Sequence, residues 1–281
     1  MGPSKYLVGR MKFHIVIRTH DGQNIHGNKP RYIDIPKKDL ILGCLTSLIN
    51  SSNLVKEDEV SFVILNDHCT EECISKVNQI LQHSKHPYQL MDLEIPGFHY
   101  SGLKQFEYCK NSTADLVYSV EDDYLHCIEA IQEMLSSYQY LKNYYHLEKE
   151  LCLFPFDNPE DYEYGYVFPG RLFRTPTRHW KEGIWTTFTM MTTPKVFQDH
   201  WNIFEKLASK YTPWNGIDPI EELIHEGNTI SDIWKHHVIR VNPIPSLALH
   251  IQFERQRDIH ISHLEWWNKY SKLRLFGVNY D

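Results

Sequence analysis

The stretch Asp115-Leu-Val-Tyr-Ser-Val-Glu-Asp-Asp123 decides how the rest of the chain is read. Its apolar, β-branched middle reads as a short buried strand. The strand runs directly into three consecutive carboxylates, Glu121, Asp122 and Asp123. Adjacent carboxylates repel unless they are solvated or share a cation. Along a strand, positions 121 and 123 point to one side and 122 to the other. Glu121 and Asp123 can then hold one cation, with Asp122 turned toward the fold or a ribose. Hard oxygen ligands favour Mg2+ or Mn2+, ions that also take phosphate oxygens. The plainer alternative is a solvated acidic loop after a strand.

Upstream, strands and helices alternate. Phe13-His-Ile-Val-Ile17 is a strand that feeds the polar segment Arg18-Thr-His-Asp-Gly22, and residues 39–50 place apolar side chains at helical spacing. A second strand, Val60-Ser-Phe-Val-Ile-Leu65, closes at Asn66, Asp67 and His68. Thr70 has the character of an N-cap, with acids in the turn that follows. Gln89-Leu-Met-Asp-Leu-Glu-Ile95 reads as a third strand, and residues 101–110 as a helix before the acidic strand. This order predicts an α/β sheet with right-handed crossovers. Ligands of such sheets collect beyond the carboxyl ends of the strands. Arg18 to Asp21, Asn66-Asp67 and the acidic triplet all stand there.

Beyond a helix near 127–145 the texture changes. Residues 151–194 are rich in aromatics, proline, threonine and arginine, without a Gly/Ser linker. Helices follow near 195–209 and 219–227, then a strand at 237–242 and a C-terminal helix carrying Trp266 and Trp267. The expected organisation is one domain over 11–281 with two halves, 11–126 and 127–281, after an N-terminal arm at 1–10.

Composition narrows the partner class. The 281 residues carry 29 basic and 36 acidic side chains, a balance of −7 where a polyanion binder would show the opposite sign. Nucleic acid is therefore not an expected partner. No apolar run reaches eighteen residues, so no transmembrane segment is expected. The first residues lack an apolar signal core, and the chain reads as cytoplasmic. Six cysteines occur without a C-x-x-C pair, and Cys69 and Cys73 have no second pair to complete a zinc set. They read as reduced and mostly buried.

The order of these features resembles the nucleotide-sugar-binding half of GT-A glycosyltransferases, the family-2-like inverting group above all. The resemblance covers residues 11–126. It implies a Rossmann-like mixed sheet flanked by helices, with an irregular C-terminal half that binds the acceptor. It also implies a nucleoside-diphosphate sugar as donor and a glycan or other hydroxyl as acceptor. By the same resemblance, Arg18, Thr19 and His20 supply the nucleotide-binding turn, and Asp67 contacts the base. Gly102-Leu-Lys104 opens the segment before the D-x-D strand. Lys104, Glu121 and Asp122 are accordingly expected at the donor. The D-x-D itself is Glu121-Asp122-Asp123, which departs from the pattern in its first residue and leaves the role of Glu121 open. Asp123 and Glu121 would bind Mn2+ or Mg2+, joined by His250 from the segment after Pro243-Ile-Pro245.

Asp218, in Gly216-Ile-Asp-Pro-Ile-Glu-Glu222, matches the family's acidic motif at a helix start and would deprotonate the acceptor. Asp218, Pro219 and Glu221 also form a capping arrangement, and the two roles are compatible. Glu221 and Glu222 are the alternative bases, and a retaining route opens if Asp218 only caps. Arg171, Arg174, Arg178 and Lys181 read either as a mobile loop gripping a diphosphate or acceptor, or as a solvated surface. Trp185 is a candidate for stacking on a sugar. Two other readings stay open: a catalytically silent carbohydrate-binding protein of the same fold, and a sugar nucleotidyltransferase. The second lacks the expected Gly-rich basic loop after the first strand.

Overall fold

A computed structural model describes residues 10–22, 31–159, 162, 170–183, 188–210, 237–252, 257 and 261–273. Its first half is built from four parallel strands: β1 (Lys12–Thr19), β2 (Glu59–Asn66), β3 (Tyr88–Asp92) and β4 (Leu116–Val120). Between them run α1 (Lys37–Ser52), α2 (Glu71–Leu81) and α3 (Phe98–Lys110). The order in the sheet is β3-β2-β1-β4. The chain thus steps outward from β1 in one direction and returns to its other side with β4. A crevice opens between β1 and β4 at such a reversal.

Register places the strand ends. Thr19 lies opposite Asn66, and Ile17 opposite Val120. One residue further along, Arg18 therefore meets Glu121 across the crevice.

The second half extends the same sheet. Its elements are β5 (Tyr124–His126), α4 (Ala130–Tyr144), β6 (Glu150–Leu153), β7 (Leu172–Arg174), β8 (His179–Glu182), β9 (Met190–Thr192), α5 (Pro194–Asp199), α6 (Trp201–Lys210), β10 (Val238–Ile244), β11 (Ala248–His250) and α7 (His263–Tyr270). The sheet continues past β4 as β9-β6-β10-β8-β7, giving, among the described residues, nine strands of mixed direction flanked by helices. A separate antiparallel ribbon pairs β11 with β5 and sets His250 opposite Tyr124. Among the described residues, no helix is long and apolar enough to cross a membrane.

Alternation along β1 divides the core. Phe13, Ile15 and Ile17 join the cluster under α1 and α4, whereas Val16 faces α3, α5 and α6. Phe106 of α3 centres the second cluster, with ring centroids 4.9 Å from Phe188, 5.7 Å from Phe197 and 5.2 Å from Phe204. Phe106→Ala should cost about 3 kcal/mol by opening a cavity that three rings cannot all collapse into. Urea denaturation of the variant checks this, and a loss below 1 kcal/mol would argue against a rigid cluster.

The structure differs from the sequence expectations in three places. β3 stops at Asp92 rather than running to residue 95. The single helix expected near 195–209 is two, interrupted at His200, whose backbone leaves the helical region. The half expected to be irregular instead completes the sheet, through the seven-residue β10, where a strand was expected, and four strands of three or four residues that are too short to show a period. The helix expected near 219–227 lies outside the described residues, as do residues 1–9 of the arm.

Candidate active site

Past Val120 the chain turns before β5 begins, so the acidic triplet is not extended and the strand alternation expected for it does not hold. The three carboxylates fan toward three different neighbours. Glu121 pairs with the Arg18 guanidinium at 3.2 Å, and its backbone N–H donates to Thr189 Oγ1 at 2.9 Å. Arg18 itself lies 3.9 Å from the centre of the Phe98 ring and 4.9 Å from that of Phe188. Gly102 of α3 packs closely against this group: a Cβ there would stand 3.1 Å from Phe188, a tight contact, and 3.6 Å from Arg18, an ordinary one. Burial, and next the charge of Asp123, push the Glu121 carboxyl above its ordinary value against the opposing pull of Arg18.

Asp122 accepts the His20 backbone N–H at 2.9 Å and forms an ion pair with Lys37 at the start of α1. Burial would lower the Lys37 pKa, but Asp122 and Asp123 outweigh it and the net shift is upward. Asp123 looks the other way. Its Oδ2 accepts from Gln252 Nε2 at 3.2 Å, and its carbonyl accepts the Ile251 N–H at 2.9 Å. Its Oδ1 faces His250 Nε2 at 3.5 Å. Burial would raise the Asp123 carboxyl; His250, Lys37 and Arg31 together hold it well below the carboxylate range. His250 is depressed by burial and raised more by Asp123, for a net upward shift. Its ring stacks on Tyr124, with centroids 4.4 Å apart.

The donor set fits a divalent cation at one pair of residues. Asp123 Oδ1 and His250 Nε2 are both buried and, among the described residues, have no hydrogen-bond partner beyond their own ion pair. Two unsatisfied ligand atoms facing each other at 3.5 Å can share one ion at the ~2.1 Å typical of Mg2+. Glu121 does not complete this pair as expected. Arg18 and Thr189 occupy it, and among the described residues no three-donor group contains it. The physical reason is the turn, which separates side chains that a strand would have aligned.

Other expected residues are distributed as follows. Thr19 is buried, with its hydroxyl 3.4 Å from the Leu65 carbonyl. His20 Nδ1 is 2.8 Å from the Asp67 carbonyl, so the loops after β1 and β2 are bonded to each other. Asp67 is buried, and its Oδ1 accepts the Gly97 N–H at 2.9 Å. Lys104 pairs with Glu107 at 2.7 Å on α3.

The basic segment corrects its expectation. Rather than a free gripping loop, it forms the β7–β8 hairpin at the outer edge of the sheet. Arg171 makes a two-pronged pair with Glu182 at 3.0 and 2.8 Å, Arg178 bonds to the Pro245 carbonyl, and Lys181 pairs with Asp157 at 2.9 Å. Arg174 is exposed on the same hairpin. Carboxylates of the fold already meet the charge of Arg171 and Lys181. Asp218, Glu221, Glu222 and Trp185 lie outside the described residues.

Lys37 is the site residue that the sequence reading missed. A signal was present: Lys37 and Lys38 open α1, where a helix dipole disfavours cations. A buried acid nearby offsets that cost.

No protein-family model and no curated protein matches the chain. Among solved structures it is similar to TarS of S. aureus, at 15% identity and a TM-score of 0.48, over 83% of this chain and 36% of that one. It is also similar to GlyE, a glycosyltransferase of Streptococcus pneumoniae, at 13% identity and a TM-score of 0.47, over 94% and 60% of the two chains. The mannosyltransferase PcManGT of Pyrobaculum calidifontis, solved with GDP-Man and Mn2+, matches at 12% identity and a TM-score of 0.43, over 68% and 46%. The chain spans between about a third and three fifths of the length of these proteins.

Proposed function

We propose that this protein transfers a sugar from a nucleoside-diphosphate sugar to an acceptor hydroxyl, with a divalent cation held by Asp123 and His250. The observation that carries the reading is the unsatisfied Asp123–His250 pair beside the crevice between β1 and β4. When bound, Mn2+ or Mg2+ would supply positive charge for the departing diphosphate. Arg18, Arg31 and Lys37 add cationic side chains near the same turn, in a chain whose overall balance is −7. The linked loops carrying Thr19, His20 and Asp67 form the wall that receives the base. The extended second half receives the acceptor.

Asp218 is proposed as the general base, giving inversion in one displacement, with Glu221 and Glu222 as alternatives. A screen of nucleotide sugars with Mn2+, read as sugar release, tests the reading. One donor should be hydrolysed, and a chelator should stop the reaction. Asp218→Asn should lower transfer by about 10²- to 10⁴-fold while leaving donor affinity unchanged. Unchanged turnover in that variant rejects the base assignment. Donor binding without any turnover would favour the silent carbohydrate-binding alternative.

A further inference from the structure

We propose a second and softer metal site, formed by Asp21, Cys69 and Cys73, that takes Zn2+ or a comparable thiophilic divalent cation. The inference does not rest on the sugar-transfer reading. One donor atom from each residue lies within 4.8 Å of the other two, and among the described residues this is the one three-donor group of such side chains. Sulfurs on a tetrahedral zinc stand about 3.8 Å apart at ~2.3 Å from the metal, inside the 4.8 Å within which the three donor atoms lie. The sequence showed two cysteines without a completing donor. The fold brings Asp21 to them from the loop after β1.

All three residues are held in place by neighbouring bonds. Each Asp21 carboxylate oxygen accepts from the Thr70 N–H at 3.1 Å, and Oδ2 also accepts the Thr70 hydroxyl at 2.5 Å. Bonds of this kind orient a ligating carboxylate and keep its remaining lone pairs available. Cys69 follows His68, whose left-handed backbone (φ 56°) bends the loop, and its own N–H donates to Asn66 Oδ1 at 2.9 Å. Cys73 sits in the first turn of α2, its N–H donating to Thr70 Oγ1 at 3.4 Å. Cys73 is fully buried, while Cys69 and Asp21 are partly exposed, which leaves the outer side open for ion entry and a water ligand.

Two thiolates and one carboxylate suit zinc and disfavour Mg2+ or Mn2+, in contrast to the oxygen–nitrogen pair at Asp123 and His250. On binding, two metal–sulfur bonds form and each thiol releases its proton to solvent. The resulting site carries one net negative charge, which the N-terminal end of α2 partly offsets. Occupancy would tie the loop after β1 to the loop after β2.

Co2+ titration of the reduced full chain tests the site directly. The expected result is a thiolate-to-cobalt charge-transfer band with intense tetrahedral ligand-field bands. These should saturate at one equivalent and be displaced by Zn2+. Cys69→Ser should at least halve the charge-transfer band while circular dichroism stays native, and Asp21→Asn should weaken Co2+ affinity at least about tenfold. Asp123→Ala should leave the band in place, which separates this site from the other pair. No band in the reduced protein would overturn the proposal. So would a band of undiminished intensity in Cys69→Ser.

Discussion

On the proposed function, replacing Asp123 with alanine is expected to lower sugar transfer roughly 10³-fold and to abolish its dependence on Mn2+. Charge stabilisation by a bound cation contributes several kcal/mol to a transition state of this kind, and each 1.4 kcal/mol is about tenfold in rate. Asp123 supplies one of the two unsatisfied ligand atoms, and His250 alone would hold the ion weakly. Glu121→Gln makes the informative comparison. Arg18 and Thr189 already engage Glu121, so Mn2+ dependence should persist in that variant even if the rate falls. Steady-state rates at several Mn2+ concentrations for the two variants distinguish the cases. An Asp123→Ala enzyme that keeps Mn2+-dependent transfer within tenfold of the parent would remove Asp123 from the metal site.

Acid unfolding should be steep, and His126 should account for much of the slope. This side chain has no exposed surface, and its Nε2 is 2.8 Å from the Tyr118 hydroxyl. Burial pushes its pKa down to about 3. In the unfolded chain a histidine titrates near ~6.5. Between those values the unfolded state binds a proton that the native state refuses. Stability is therefore fully present above about pH 6.5 and is lost as pH falls toward 3. At about 1.4 kcal/mol per pH unit, the loss across that window is roughly 4 to 5 kcal/mol. His126→Gln, which does not titrate, should flatten the dependence. Urea denaturation at a series of pH values measures both slopes; identical slopes would mean that other groups control the acid transition.

The parallel half of the fold was legible because its first strands and first helix are long apolar runs. β1 and β2 are eight-residue strands with continuous apolar centres, and α1 repeats its apolar residues over sixteen positions. The Thr70 cap was legible for a chemical reason, and its side chain does accept the Cys73 N–H. β9 and β11, three residues each, carry no period at all, yet β9 bridges the two halves of the sheet and β11 delivers His250.

At the site, the sequence singled out Asp123 and His250, which the structure brings together. The strand alternation expected at Glu121 does not hold, because three residues cannot reveal whether a strand continues or turns. The basic hairpin illustrates the converse limit. Arg171 and Lys181 look like free charge in one dimension, and their partners Glu182 and Asp157 become apparent only after folding. The Asp21–Cys69–Cys73 group shows the same effect, since its third donor comes from a different loop.

Asp123 and His250 are proposed to hold a divalent cation against a nucleoside diphosphate. Calorimetric titration of UDP and GDP into the protein, with Mn2+ and then with a chelator, tests it most directly. One of these nucleotides should bind with Mn2+, and the binding should be weakened at least about tenfold by the chelator and in the same degree by His250→Ala. Equal affinity with and without the metal, or Mn2+-dependent binding that is unaffected by His250→Ala, would contradict it.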